Sequence, residues 1–284
     1  MEVKRKALHG IHPSPIFYLV LAITGLSAYL CVNQNIGPLT IKPSIAVFLF
    51  VTSGWILSLI FHEFGHAYVA WRGGDLSVAA KGYLTLNPLK YAHPVLSIAM
   101  PVVILLIGGI GLPGGAVWID HSKLSPERES GVSAAGPFAS FLFGVICLAP
   151  LLLTSIPKEL NLTTVFDKYI ILAGALAFLG GIQIISVVIN LLPVPGLDGY
   201  GILEPTLSPE IQRSLAPLRN MGIFILFFLI FSTDVGQWLW IPVEELFKAL
   251  GIDYGLFADG YRCYRFWNDD ILSSCNINEF RQSS

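Results

Sequence analysis

The stretch SLIFHEFGHAYVAW, Ser58–Trp71, places two histidines and a glutamate inside an otherwise apolar segment. Because His62 and His66 are four residues apart, they share one face of a helix, one turn from each other. With Glu63 they form the pattern H-E-x-x-H, in which two imidazoles bind zinc and the glutamate handles protons. A charged group at the centre of a membrane segment costs about 2.5–3.5 kcal/mol, so these residues indicate a function.

The composition of the 284-residue chain is that of a membrane protein. Hydrophobic residues make up 54% and charged residues 13%, about half the charged share of a soluble domain. A water-soluble core of this size has no way to bury so much apolar surface, whereas a lipid bilayer solvates it. The net charge is −2 and no basic run is present, so no nucleic-acid partner is expected.

Six apolar segments approach the roughly 20 residues that a membrane span needs. They are Ile16–Val32, Ile45–Trp71, Pro94–Ile119, Val132–Ile156, Tyr169–Leu192 and Met221–Ile241. We therefore predict an all-α polytopic membrane protein with about five transmembrane helices plus one re-entrant or sixth segment, Pro94–Ile119. Residues 1–241 are predicted to form the membrane-embedded domain, with a core at 45–201 and a C-terminal tail at 242–284. A short β-like stretch, Leu76–Leu86, is predicted after the H-E-x-x-H helix.

A third metal ligand is expected in another apolar segment, because a catalytic zinc takes three protein ligands and keeps one position for water. The segment NLLPVPGLDGYG, Asn190–Gly201, contains Asp198, the one acid near the end of the fifth apolar segment. Pro193 and Pro195 break the helix there, and Gly199 leaves room beside the acid. A plain Asp-Gly turn in a loop is the other interpretation of this segment.

The two motifs together resemble those of the site-2 protease family, the intramembrane zinc metalloproteases. That family pairs H-E-x-x-H with a distant motif like N-x-x-P-x-P-x-x-D-G, which Asn190–Gly199 matches. Two further segments, Leu84–Pro94 and Ser133–Phe141, resemble family segments, so the similarity covers about residues 45–201. Ser140 stands where the family usually has asparagine, and Tyr91–His93 replaces a more usual H-I-D. These departures lie outside the expected ligand set.

The resemblance implies a zinc metalloprotease that cleaves transmembrane protein substrates within or near their membrane segments, in regulated intramembrane proteolysis. It implies that His62, His66 and Asp198 bind one Zn²⁺ ion per chain, that Glu63 is catalytic, and that Asn190, Pro193 and Pro195 position the substrate. A bacterial plasma membrane is the expected location, with the lipid bilayer as solvent. A metal-ion or proton transporter using the same site is the main alternative. A catalytically inactive protein that holds membrane helices is the other.

The expected ligands also constrain the topology, because the ligands of one metal ion must lie at one depth. If all six segments crossed the membrane, His66 and Asp198 would lie on opposite sides; if Pro94–Ile119 re-enters, they meet near the cytosolic face. The re-entrant scheme places ten basic residues in inner loops and three in outer loops, against eight and five for six spans. It also places the tail outside, where Cys263 and Cys275 either pair or remain free thiols.

Overall fold

The chain is almost entirely helical in the part that the structure, a computed structural model, describes. That part comprises residues 11–33, 35–36, 39–91, 117–155, 163–219, 221–222, 228, 235–238, 240–265, 267 and 275. One antiparallel ladder of two-residue strands, β1 Asn35–Ile36 and β2 Leu39–Thr40, pairs Asn35 with Thr40. The predicted all-α class is confirmed.

The helices differ widely in length. In chain order they are α1 Pro15–Val32, α2 Pro43–Gly73, α3 Ser77–Ala80, α4 Pro88–Tyr91, α5 Pro126–Leu148, α6 Thr163–Asn190, α7 Asp198–Leu203, α8 Pro209–Leu215, α9 Val235–Trp238, α10 Ile241–Leu250 and α11 Tyr254–Tyr264. Short 3₁₀ turns occupy Tyr83–Thr85, His121–Lys123, Ala149–Ser155, Glu204–Thr206 and Ala216–Leu218.

Four of these helical segments are long and apolar enough to cross a membrane. They are Pro15–Val32, Pro43–Gly73, Pro126–Leu152 and Tyr169–Asn190, with mean hydropathies of 2.0, 2.2, 2.0 and 2.3. They correspond to four of the six predicted segments and confirm a membrane protein that fits a lipid bilayer. Most of Pro94–Ile119 and of Met221–Ile241 lies outside the described residues. Whether Pro94–Ile119 spans the membrane or re-enters therefore stays a prediction.

Several hydroxyl groups inside the spans form hydrogen bonds with the helix that carries them. Thr24 Oγ1 donates to the Val20 carbonyl at 2.9 Å, and Ser53 Oγ donates to the Leu49 carbonyl at 2.6 Å. Hydrocarbon offers no partner to a polar group, so this back-bonding to the residue one turn earlier lets a hydroxyl remain in an apolar helix.

The predicted β-like stretch Leu76–Leu86 is wrong, because these residues form α3 and a 3₁₀ turn. Asp75 Oδ1 accepts a hydrogen bond from the Ser77 backbone N–H at 2.9 Å, which starts a helical turn instead of an extended strand. Gly82, with φ of 77°, and Leu86, with φ of 53°, are in the left-handed region and interrupt any strand. Local capping and turn geometry therefore override the β propensity of this segment.

The chain divides into two compact units. The first comprises residues 1–17, 58–141 and 185–240, and the second comprises residues 18–57, 142–184 and 241–284. All candidate site residues belong to the first unit. In the second unit, the Phe178 ring lies 5.3–5.5 Å from three aromatic rings of α11, those of Phe257, Tyr261 and Tyr264. A disulfide joins Cys263 to Cys275 in the same unit, which is one of the two states expected from the sequence.

Candidate metal centre

Two remote segments of the chain converge on one point. His62 and His66 lie one turn apart on α2, and their Nε2 atoms are 3.1 Å apart. Asp198 is the first residue of α7, and its carboxylate oxygens lie 3.2 Å from His62 Nε2 and 3.3 Å from His66 Nε2. The three candidate ligand atoms all lie within 4.8 Å of one another. The structure therefore brings together the three residues that the sequence proposed as ligands.

The far nitrogen of each imidazole is held by a partner on α5. His66 Nδ1 lies 2.7 Å from the Val132 carbonyl oxygen, which can only accept, so Nδ1 carries the proton. His62 Nδ1 lies 3.1 Å from Ser140 Oγ, which can accept in the same way. Both Nε2 atoms then present lone pairs to the shared point, and the hydrogen bonds fix the orientation of each ring.

The group fits a cation better than it fits a set of internal hydrogen bonds. Asp198 Oδ2 is buried and has no hydrogen-bond partner in the described part of the chain, although His62 Nε2 is nearby. Two unprotonated nitrogens and a carboxylate would repel one another if nothing lay between them, and a buried anion needs a compensating charge. Nitrogen and oxygen donors of this kind, in this number, are those of a catalytic zinc site.

Helix α5 approaches α2 closely enough to form one wall of the centre. A Cβ atom at Gly136 would overlap the Nε2 atoms of both His62 and His66. A Cβ atom at Gly65, on α2, would lie 2.7 Å from the Ala135 carbonyl oxygen. Glycine at these two positions lets the helix backbones meet and leaves the point between the imidazoles accessible.

Glu63 lies beside the imidazoles and is held by the chain backbone. Its side chain is 3% exposed, and its Oε2 accepts a hydrogen bond from the Val117 N–H at 3.2 Å. Lys81 Nζ donates to the carbonyl oxygen of the next residue, Trp118, at 3.0 Å. Lys81, which follows α2 in the chain, therefore anchors the segment that orients the Glu63 carboxylate.

Asp75 is a second anchor, and the sequence reasoning missed it. The side chain is fully buried and accepts hydrogen bonds from the backbone N–H groups of Ser77 at 2.9 Å and Asp120 at 2.8 Å. Burial acts to raise the Asp75 pKa, but these N–H donors and Lys123 outweigh burial and hold the pKa below its usual value. An acid directly after two glycines at a helix end was the available signal.

The predicted substrate-positioning residues lie on the way from α6 to α7. Asn190, the last residue of α6, donates from Nδ2 to the Ser186 carbonyl oxygen at 2.9 Å. Pro193 and Pro195 follow in the segment that breaks the helix before Asp198. Among the contacts described, none joins Asn190, Pro193 or Pro195 to the imidazoles or to Asp198.

Several curated proteins are similar to this chain along most of its length. "Putative zinc metalloprotease Rip2" of Mycolicibacterium smegmatis is 42% identical over 268 residues, which cover 93% of this chain and 98% of the relative. The protein of the same name in Mycobacterium tuberculosis is 39% identical over 262 residues, 91% and 96% of the two chains. "Putative zinc metalloprotease YwhC" of Bacillus subtilis is 28% identical over 211 residues, 72% and 88% of the two chains.

No protein-family model and no solved structure matches the chain. The curated relatives are named as zinc metalloproteases, which supports a Zn²⁺ cofactor and gives no support to a transporter. The apolar helices and the His–His–Asp group agree with those names. The chain therefore belongs to the site-2 protease family and is an intramembrane zinc metalloprotease.

Proposed function

We propose that His62, His66 and Asp198 bind the catalytic zinc ion and that Glu63 is the acid–base residue of this protease. The observation that carries the proposal is the convergence of two imidazole lone pairs and an unpartnered buried carboxylate oxygen, contributed by two remote segments, beside a buried glutamate. Chance burial of such a group would be costly, because each member is polar and close to an apolar span.

The residues divide the chemistry among themselves. When bound, zinc supplies Lewis-acid chemistry, polarising a carbonyl group and making water more acidic. Glu63 takes a proton from the attacking water and delivers it to the leaving amine. The Val117 N–H donates to Glu63 Oε2 and so orients the carboxylate for this transfer.

The substrates we propose are transmembrane proteins, cut within or near their membrane segments. A helical substrate engages its carbonyl groups in hydrogen bonds one turn along the chain, so the segment must unwind before attack. Substrate segments rich in glycine or proline unwind at lower cost and should be preferred. Asn190, with Pro193 and Pro195, is proposed to position the unwound backbone near Asp198.

The proposed setting is the plasma membrane of a bacterium, because the relatives described above come from bacteria. Residues 1–241, with a core at 45–201, are proposed as the protease domain. Residues 242–284 are proposed as an attached C-terminal part, in which α10 and α11 are helical.

The test combines metal analysis with cleavage of a transmembrane substrate by the purified protein in detergent. Glu63→Gln should retain one zinc per chain and lose cleavage, whereas the isosteric Asp198→Asn should lose zinc. Glu127→Gln, an exposed glutamate at the start of α5, is the matched control and should behave as wild type. Cleavage by Glu63→Gln at the wild-type rate, or full zinc retention by Asp198→Asn, would contradict the assignment.

A further inference from the structure

Tyr91, the last residue of α4, buries a hydroxyl group that the site described so far does not use. The residue is 4% exposed, and its hydroxyl oxygen has no hydrogen-bond partner in the described part of the chain. Burying a hydroxyl without a partner costs free energy, whereas phenylalanine would fill nearly the same space without that cost. The hydroxyl is therefore expected to find its partner in a molecule that enters the site.

A series of contacts leads from Tyr91 towards the catalytic glutamate. The Tyr91 and Tyr83 rings lie 6.4 Å apart between centroids. Lys81 Nζ lies 5.8 Å from the centre of the Tyr83 ring and 4.6 Å from that of Trp118. Lys81 also donates to the Trp118 carbonyl oxygen, so Tyr91 lies next to a ring of the cluster that anchors the segment beginning at Val117.

The segment that Lys81 anchors also contacts Glu63, so the ring next to Tyr91 shares a cation with the support of that glutamate. Val117 donates its N–H to Glu63 Oε2 at 3.2 Å. Burial raises the Tyr91 pKa, and the nearby negative charge of Glu63 raises it further. The Tyr91 phenol therefore keeps its proton and can act only as a neutral hydrogen-bond donor or acceptor.

The turn before α4 fixes the position of Tyr91 at a conformational cost. Leu86 has a φ of 53°, the one positive φ of a non-glycine residue in the described part of the chain. Asn87 Oδ1 then accepts from the Leu89 N–H at 3.0 Å and starts α4. Strain of this kind persists where the surrounding structure requires a defined geometry, and it is common at functional sites.

We propose that Tyr91 is a further catalytic residue, whose hydroxyl donates a hydrogen bond to the carbonyl oxygen of the peptide bond being cleaved. This inference rests on the proposed function of Glu63. As the water oxygen bonds to the carbonyl carbon, the carbonyl π electrons move to its oxygen, which becomes negative. Tyr91 stabilises that oxygen and keeps its own proton, while the water proton passes to Glu63 and then to the amine as the C–N bond breaks.

The decisive variant is Tyr91→Phe, made in the full chain with zinc bound. Removing one donor to a developing oxyanion typically lowers kcat by about 10²–10³-fold, and we expect a loss of that order with little change in KM. Zinc content should not change, and thermal stability should be equal or higher, since an unpaired buried hydroxyl is gone. Tyr83→Phe is the matched control, because it keeps the neighbouring ring and removes a hydroxyl from it.

Binding of a phosphinic peptide gives a second readout that does not depend on turnover. Its tetrahedral phosphorus carries negative oxygens, as the carbonyl carbon does during attack, so Tyr91→Phe should weaken its affinity by about 100-fold. The affinity for an amide peptide of the same sequence should fall much less, because its carbonyl oxygen carries no negative charge. Equal affinities of wild type and Tyr91→Phe for the phosphinic peptide would overturn the proposal.

The kinetic outcomes separate this inference from the proposed function. If Tyr91→Phe cleaves at the wild-type rate while Glu63→Gln does not, the role of Tyr91 is wrong and that of Glu63 stands. If Glu63→Gln also cleaves normally, the proposed function itself fails. Loss of zinc or of stability together with kcat in Tyr91→Phe would identify a structural tyrosine and overturn its catalytic role.

Discussion

Around His62 the chain buries polar groups, whereas around Phe178 it buries aromatic rings. His62, Glu63 and Asp75 each have a specific hydrogen-bond partner at a defined distance. Phe178 is fully buried among aromatic rings, which contribute apolar contact area and form no hydrogen bond with its phenyl ring. A substitution in the first region should therefore change metal binding, catalysis or the pH dependence of stability, and one in the second should change stability without changing kcat.

Gly136, a residue without a side chain, lies against both imidazoles of the polar region. Gly136→Ala would place a methyl group on the two Nε2 atoms, so zinc affinity should fall by at least about 100-fold and cleavage should be lost. Gly131→Ala is the control on the same helix, since a Cβ atom there meets nothing within 4 Å. Zinc content and cleavage are the measurements, and a zinc-replete, active Gly136→Ala protein would show that the metal site does not require glycine at this position.

Phe178→Ala is the counterpart in the aromatic region. Deleting a fully buried phenylalanine costs about 3–5 kcal/mol of unfolding free energy, because its ring neighbours lose contacts and a cavity remains. Thermal unfolding in detergent should show this loss, while kcat per zinc-loaded folded molecule should be unchanged.

Phe138→Ala is its control, because that side chain is 60% exposed and should be covered by lipid or detergent. Its unfolding temperature should stay close to that of wild type. A Phe178→Ala protein that unfolds normally but has a reduced kcat would show that the aromatic region also determines catalysis.

Ser140 tests whether a single hydrogen bond in the polar region affects zinc binding. It lies 3.1 Å from His62 Nδ1, so Ser140→Ala should leave that nitrogen without its partner and weaken zinc binding by about 10–100-fold. Ser140→Asn supplies another oxygen acceptor, the residue usual in the family, and should restore affinity. Chelator competition measures both variants, and a wild-type zinc affinity in Ser140→Ala would show that the hydrogen bond does not orient His62.

The sequence predicted what depends on short spacing. The H-E-x-x-H residues share a helix face because of local geometry alone, so the spacing of His62 and His66 is enough to place them side by side. Asp198 was harder, because only the paired motifs linked it to α2. Leu76–Leu86 was predicted wrongly, since the cap that Asp75 provides and the left-handed turns outweigh β propensity there.

The role of Tyr91 depends on tertiary packing and could not be predicted from the sequence. Tyr91 stood in the sequence only as a departure from the family pattern. Its importance follows from burial, from the absence of a partner in the described residues, and from the contacts that lead through Lys81 to Val117. The contact of Lys81 with Trp118 joins residues 37 positions apart, and no local periodicity predicts it.

The buried carboxylate of Asp75 should make a modest contribution to the pH dependence of stability. A carboxyl group whose folded-state pKa is lowered adds stability above its unfolded pKa and loses it as the pH falls through its folded pKa. Asp75 is such a group, because the N–H groups of Asp120 and Ser77 and the charge of Lys123 favour its ionised form over the cost of burial. The wild-type unfolding temperature should therefore fall more steeply below about pH 5 than that of Asp75→Asn.

Asp75→Asn keeps the size of the side chain but cannot ionise, so the difference between the two pH profiles isolates one group among the many carboxylates that titrate in this range. Lys123→Met should reduce the slope by less, because the Nζ atom lies 4.0 Å from Asp75 and is half exposed, whereas the backbone donors contact the carboxylate directly. Identical slopes for wild type and Asp75→Asn would mean that hydrogen-bond geometry, and not the charge of Asp75, holds the segment that contacts Glu63. The stability of this part of the polar region would then be independent of pH, as that of the aromatic region is.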